Sequence, residues 1–439
     1  MATSLTSSLL CIGPFPSKNR SSCSCEGFSI TGLNVPAAEL EDLQRRRSEE
    51  HRQYNLRMKT NLDTLILAPS NSPLQYPIQG VIVEPLTKCV IPGLALHTQK
   101  RRLYKASLSV KSGVFSVEDL VDGEQVDGQS QSELTILSIS LIQLNNLLSR
   151  MTYTSTFYHV KTKDLVYLSF EDYKAIFPIM IKRASVPVLY DPGKDINSQV
   201  TITTKTFLRY EELNVLINSI RQFYPEIKII VVDDSLIPEK VNGSNIEQYI
   251  MPPAQGWFAG RNLAVSQVAT KYFLWVDDDF VFWNNTRIED FVEIVENVPE
   301  LDVLGGAVGN NQFFFRIVYE EGEDEEGGCL QRLQGEKLQS LPGLNGCFFV
   351  DGVVNFFLAR TDAVRRVGFD PFLKRVAHTE FFLDGLGDLM IASCEGLTIG
   401  HQKQRNQNNY RRFRFPGQRD QKNKLTHHYF KNYLKCIKY

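Results

Sequence analysis

The chain has 439 residues, 43% hydrophobic and 22% charged, with a formal net charge of −2. A charge so close to balance excludes bulk affinity for nucleic acid or a membrane surface, and no run of about 18 apolar residues offers a membrane span. The length exceeds one ordinary core and predicts two or three domains.

Residues 1–36 are rich in Ser, Gly and Pro and predict a disordered segment. The apolar patch at 9–12 is cut short by Gly13 and Pro14 and lacks a basic flank, so it reads as neither signal peptide nor anchor. Residues 37–60 predict a charged helix, a stem or dimer contact rather than a core element. Residues 61–192 predict a small β-rich domain. Alternating stretches at 78–83, 106–110 and 134–139 are separated by turn residues, and Pro187, Pro192 and Gly193 mark a linker. No catalytic constellation stands out in this half.

From residue 193 to 439 the pattern becomes strand, helix, strand, which predicts a doubly wound α/β domain. Residues 200–206, including Thr204, form a β-branched strand. Residues 210–223 have helical spacing and stop at Pro225. The apolar strand at 227–232 ends in Asp233 and Asp234. A helix over 260–268 opens with Arg261 and Asn262. The strand Tyr272-Phe273-Leu274-Trp275-Val276 then runs into Asp277, Asp278 and Asp279. Parallel strands share a carboxyl edge, so both Asp clusters are expected to face one crevice, where open α/β sheets bind ligands. Three adjacent carboxylates repel one another unless they face water or a divalent cation neutralises them. Hard cations such as Mg²⁺ and Mn²⁺ take oxygen ligands and bridge phosphate oxygens. The pattern therefore predicts a metal and nucleotide-diphosphate site, with a solvated strand-end turn as the alternative.

Further along, residues 302–308 and 353–360 read as strands, and the acidic stretch 320–328 as a solvated loop. Thr361 and Asp362 are expected to cap a short helix ending near Gly368. Glu380 and Asp384 lie four residues apart and share a face of a predicted helix. A transferase acting on a hydroxyl needs a carboxylate to take its proton, and either acid suits that role; a salt-bridged pair is the alternative. His401 follows a short apolar strand and is a candidate metal ligand beside the carboxylates. From His401 to Tyr439 the only acid is Asp420, which predicts a basic surface, either solvated or facing an anionic substrate.

Several long motifs carry a resemblance. Thr203-Thr204-Lys205-Thr206-Phe207-Leu208-Arg209-Tyr210, Gly256-Trp257-Phe258-Ala259-Gly260-Arg261-Asn262, Trp275-Val276-Asp277-Asp278-Asp279-Phe280 and Asp351-Gly352-Val353-Val354-Asn355-Phe356-Phe357 resemble the beta-1,4-N-acetylgalactosaminyltransferases, as do residues 378–387. The likeness runs from about residue 73 to the C-terminus. It implies a GT-A fold and inverting transfer of GalNAc from UDP-GalNAc with Mn²⁺, or with Mg²⁺ in its place. It implies Asp279 as direct metal ligand, with Asp277 nearer the ribose or diphosphate and able to ligate, and His401 as a further ligand. Thr204, Asp233, Asp234, Arg261, Asn262, Asp277 and Asp278 are implied in nucleotide binding, and Glu380 or Asp384 as the base. Residues 399–402 and 428–432 resemble the members that act on sialylated galactose more than the ganglioside synthases, and the basic C-terminal region is the expected place for carboxylate recognition.

The eight cysteines contain no pair of Cys-x-x-Cys units, which disfavours zinc. Cys23, Cys25, Cys329, Cys347, Cys394 and Cys436 fit the disulfide pattern the resemblance implies, including cross-links between two chains of a homodimer; Cys11 and Cys89 have no assigned role. Sequons at Asn19, Asn242 and Asn284 are short and weigh little. Two departures stand out. Family members are Golgi proteins with an N-terminal membrane anchor, which this sequence lacks, so a Golgi location follows from kinship alone. Gln255 stands before Gly256, where a basic residue is expected; if that residue holds the diphosphate, donor affinity falls. A catalytically silent glycan-binding protein would be expected to lose an acid at 277–279, 380 or 384, and all are present. A metal-dependent nucleotidyltransferase would use similar strand-end acids but does not explain the long motifs.

Overall fold

The computed structural model describes residues 28–29, 37–58 and 68–439, apart from 71, 161, 192, 323–325, 376, 404–409, 411–412 and 414–416. Two compact units are present. One is Gln53–Pro187; the other combines the described residues up to Arg52 with Val188–Tyr439.

The smaller unit is β-rich. Its six-stranded sheet runs in the order Val81–Val83, Tyr173–Ile181, Thr162–Phe170, Tyr104–Ser109, Glu133–Ser138, Gln125–Asp127. A second sheet joins Lys88–Val90, Met151–Ser155 and Gly113–Val117. Strict alternation, as in the buried–half-buried pattern of Gly113–Val117, places Phe115 in a core with Leu134, Ile136, Tyr153 and Phe177. One helix, Leu141–Ser149, had no forecast among the strand stretches. Ser140 caps it by accepting from Gln143 N–H, and Leu144, Leu147 and Leu148 bury one face.

The larger unit carries a nine-stranded sheet. Val200–Thr206 pairs in parallel with Ile229–Asp233 and Tyr272–Trp275, and Ile229–Asp233 pairs in parallel with Ile246–Ile250. Phe357–Arg360 is antiparallel to both Tyr272–Trp275 and Val303–Val308, and Ile391–His401 runs parallel to Val303–Val308. The carboxyl ends of the first three strands therefore share an edge with the end of Ile391–His401. Both faces of the sheet are covered. Ile230, Val232, Phe273 and Trp275 enter one core, while Ile229, Val231, Tyr272 and Leu274 enter the other. Burial on both faces is why these strands read as unbroken apolar runs.

The helix Trp257–Gln267 begins three residues before the expected start, so Arg261 and Asn262 lie in its second turn rather than at its mouth. Gly256 precedes it at φ +95°, and its N–H donates to Asp234 Oδ2 at 2.7 Å. A Cβ there would lie 2.9 Å from Lys374 Cα, so only glycine fits this entry. The helix expected at Thr361 runs Thr361–Val367 with Arg360, not a threonine, at its N-cap.

The charged helix Ala37–Met58 is not only a polar stem. Leu43 packs against the larger unit's core. Arg47 is 4% exposed; its guanidinium donates to the carbonyls of Tyr429, Glu326 and Leu434 at 3.0, 3.0 and 3.1 Å. The rings of Tyr429 and Tyr433 lie 3.9 and 4.4 Å from it. Cys329 bonds Cys436 and Cys347 bonds Cys394, both within the chain. Cys11, Cys23 and Cys25 lie outside the described residues.

Candidate active site

The shared carboxyl edge gathers three groups of charges. The first centres on Asp277, whose two oxygens are both engaged. Trp275 Nε1–H donates to Oδ1 at 3.0 Å and Asn355 Nδ2–H to Oδ2 at 3.1 Å. Arg261 stands beside it, Nη2 to Oδ1 3.9 Å, in a cage of Trp257, Phe258, Trp275 and Phe369 rings. Burial pushes the Asp277 carboxyl up, against the pull of Arg261, and pushes the Arg261 guanidinium down to about 10.

Asp278 and Asp279 form the second group. Arg209, just past the strand Val200–Thr206, spans both: Nη1 to Asp278 Oδ1 3.2 Å and Nη2 to Asp279 Oδ2 2.7 Å. His401 Nε2 lies 3.4 Å from the same Asp279 oxygen. The strand Phe280–Val281 pairs with the end of Ile391–His401 so that Phe280 opposes His401, which brings the imidazole to Asp279. His401 Nδ1 donates to the Gln402 carbonyl at 2.7 Å. A carbonyl only accepts, so Nδ1 carries a hydrogen, and Asp279 pushes the imidazole up towards the protonated form, in which Nε2–H also faces the carboxylate. Burial raises the Asp278 carboxyl to about 7, against the pull of Arg209. Burial also presses on Asp279, but His401 and Arg209 overcome it and hold that carboxyl at about 2. Asp279 and His401 are the side chains here that would hold a divalent cation, one through a carboxylate oxygen and one through a ring nitrogen. Among the described residues no group of three or more His, Cys, Asp or Glu is arranged to hold a metal by itself.

The third group braces the edge. Lys205 Nζ lies 2.5 Å from Asp234 Oδ1, off the hydrogen-bond axis, with both side chains buried. Burial pushes the Lys205 amine down, against the pull of Asp234. Asp233 accepts from Tyr210 OH at 2.6 Å, Gln248 Nε2 at 3.0 Å and Ser235 N–H at 2.9 Å. Thr204 is fully buried, and among the described residues its hydroxyl has no partner. Asn262 is exposed and accepts from Phe369 N–H at 3.4 Å, so it is not brought to the Asp cluster.

Glu380 and Asp384 do sit on one helix, His378–Asp384. His378, Phe381 and Phe382 line its inner face; His378 Nε2 donates to the Val353 carbonyl at 2.7 Å. The two acids instead meet the C-terminal segment. Glu380 Oε1 takes His428 Nε2 at 3.0 Å, Tyr439 OH at 2.7 Å and Lys424 Nζ at 2.9 Å. Burial presses on Glu380, but His428 and Lys424 prevail and hold it at about 2. Asp384 takes Lys431 Nζ at 2.6 Å and Asn432 Nδ2 at 3.4 Å. Part of the basic C-terminal charge is thus spent on two internal acids.

Residues 201–352 match the family model for glycosyl transferase family 2. Over 94% of its length the chain is 43% identical to human beta-1,4 N-acetylgalactosaminyltransferase 1, covering 85% of that protein. It is also 43% identical to mouse beta-1,4 N-acetylgalactosaminyltransferase 2, over 91% of this chain and 79% of that one. This chain belongs to the beta-1,4 N-acetylgalactosaminyltransferases. Among solved structures, S. aureus TarS 1-349 aligns over 46% of this chain and 60% of its own, at 17% identity and a TM-score of 0.35.

The strand order reverses between Val200–Thr206 and Tyr272–Trp275, the point at which open α/β sheets bind ligands. Reading the family's motifs in this chain marked Asp277, Asp278 and Asp279 but missed Arg209, Lys205 and Asn355, which lie within the same motifs. A charged residue just past a strand that ends at this edge was the available signal for Arg209. Arg375 was also missed. Its guanidinium stacks on Phe207 and Phe413, at 5.5 and 5.9 Å, and it has no ion pair among the described residues.

Proposed function

We propose that this chain transfers GalNAc from UDP-GalNAc, with inversion, in β1,4 linkage to galactose of a sialylated glycan on glycoprotein or glycolipid. The observation that carries the reading is the meeting of Asp279 and His401 at the sheet edge of a family member. The acceptor oxygen attacks the anomeric carbon from the face opposite UDP, the bond from that carbon to the diphosphate oxygen breaks, and UDP leaves with the electron pair. The hydroxyl proton goes to a carboxylate. Of the two acids, Asp384 suits this task better: its side chain is 9% exposed, whereas that of Glu380 is 1% exposed, lies under three donors and is held at about 2. Asp279 and His401 would hold Mn²⁺ or Mg²⁺. When bound, that cation supplies Lewis-acid neutralisation of the diphosphate. Asp277, kept in place by Trp275 and Asn355, faces the nucleotide, and Asp233, Asp234 and Lys205 keep the edge rigid beneath it.

The two intrachain disulfides favour an oxidising compartment and so a Golgi lumen location. Among the described residues no helix is long and apolar enough to cross a membrane. A disulfide-linked homodimer would draw on Cys23 and Cys25, since the other four cysteines of the pattern pair internally.

The test is UDP release from UDP-GalNAc by the purified chain, with and without Mn²⁺, offered a 3′-sialyl-galactose glycan and a ganglioside in parallel. Metal-dependent turnover on the sialyl-galactose glycan, lost in Asp279→Ala, is expected. Turnover on the ganglioside alone would move the acceptor, and UDP binding without turnover on either would point to a silent glycan-binding protein.

A further inference from the structure

The Asp279 oxygen that faces His401 is already paired with an arginine. Arg209 Nη2 sits 2.7 Å from Asp279 Oδ2, and Nη1 reaches Asp278 Oδ1 at 3.2 Å. The side chain is 12% exposed and its guanidinium lies 5.0 Å from the Tyr410 ring. Its backbone caps the start of the helix Tyr210–Phe223, three residues past the end of the strand Val200–Thr206 and so at the same carboxyl edge. An arginine and a divalent cation compete for one carboxylate oxygen, because their positive charges repel at that distance.

We propose that Arg209 is a resident counter-cation, which neutralises Asp278 and Asp279 in the donor-free enzyme, yields Asp279 to the divalent cation, and then holds the donor's diphosphate. The inference rests on the metal-assisted reading of this same site. Two neighbouring carboxylates, Asp278 buried and Asp279 half-buried, need a cation at every stage, and Arg209 supplies it when metal is absent. Once displaced, the planar fork of donors that paired with two carboxylates matches the paired oxygens of a diphosphate equally well. Tyr410, whose ring lies beside it, offers a surface along which it can turn.

The exchange makes two predictions of opposite sign for one substitution. In Arg209→Met, Mn²⁺ binding to the nucleotide-free full chain should tighten about tenfold, because its competitor is gone. UDP binding at saturating Mn²⁺ should weaken about tenfold or more, while uridine, which carries no phosphate, should bind as before. Arg209→Lys keeps the charge but not the fork; it should leave Mn²⁺ affinity near the wild-type value and still weaken UDP. Titration calorimetry reads both affinities, and paramagnetic resonance of free Mn²⁺ checks the first. Damage to the fold would weaken Mn²⁺ and UDP together, and that result overturns the proposal, as does UDP affinity that is unchanged in both variants. Wild-type protein that binds UDP equally well with and without Mn²⁺ would overturn the metal-assisted reading itself, and the exchange with it.

Discussion

His401 Nε2 faces Asp279 Oδ2 at 3.4 Å, although His401 ends the strand Ile391–His401 and Asp279 lies just before the strand Phe280–Val281. The pairing of Phe280 with His401 makes the contact, and Gln402 locks it. Its N–H donates to the Asp279 carbonyl at 2.9 Å, and its side chain donates to the carbonyls of Glu212 and Phe280. His401→Ala should weaken Mn²⁺-dependent UDP binding by roughly 10-fold or more and leave the unfolding transition almost unchanged. Calorimetric titration of UDP with Mn²⁺ present and absent measures this.

Asp384 and Glu380 can be separated by kinetics. Asp384→Asn should lower kcat by about 10²- to 10⁴-fold with the KM for donor little altered, the loss expected of a missing base. Glu380→Gln should keep measurable kcat but unfold more easily, because Lys424 and His428 lose a buried negative partner. The destabilisation should be about 3 kcal/mol. Steady-state kinetics and denaturant unfolding on both variants decide between the two roles.

Acid stability follows from the same cluster. The folded Glu380 carboxyl is held at about 2 against an ordinary value of 4.5. A depressed carboxyl stabilises the fold above its ordinary value, and that contribution is lost as pH falls from about 4.5 through about 2. The stability difference between wild type and Glu380→Gln should therefore stay constant above about pH 5.5 and shrink towards about pH 2.5. Unfolding curves for the two proteins across this range test the sign.

Gly260→Ala should damage the edge from beneath. A Cβ there would lie 2.6 Å from Lys205 Cγ, on the buried amine that pairs with Asp234. The helix must shift or Lys205 must leave its partner, at about 1–3 kcal/mol. Reduced denaturation midpoint together with weaker UDP binding is the expected outcome.

Arg47→Met keeps the bulk of the side chain and removes its donors. Three carbonyls, those of Tyr429, Glu326 and Leu434, would lose their partner. A loss of about 2–3 kcal/mol is expected, seen as earlier release of the helix Ala37–Met58 to limited proteolysis.

The Asp triplet and its neighbours at 233–234 were legible because connectivity decides their place. Strands linked through helices run parallel, and parallel strands end at one edge. Unbroken apolar runs disclosed the doubly covered sheet for the same reason. The helix His378–Asp384 was legible as well, since four-residue spacing puts Glu380 and Asp384 on one face. Where that face points was not: the spacing is the same whether the acids meet a substrate or the C-terminal Lys424, His428 and Lys431.

The sequence by itself determined the family, the α/β order of the larger unit, and which strand ends carry acids, because these depend on local periodicity and on motifs held within a few residues. Only the tertiary structure decided the partners. It set Arg209 against Asp278 and Asp279, enclosed Asp277 between Trp275 and Asn355, and turned the basic C-terminal segment onto Glu380 and Asp384. Apart from Trp275 and Asp277, those pairings join residues far apart in the chain, and a charge records its sign in the sequence but not the direction in which the fold will aim it.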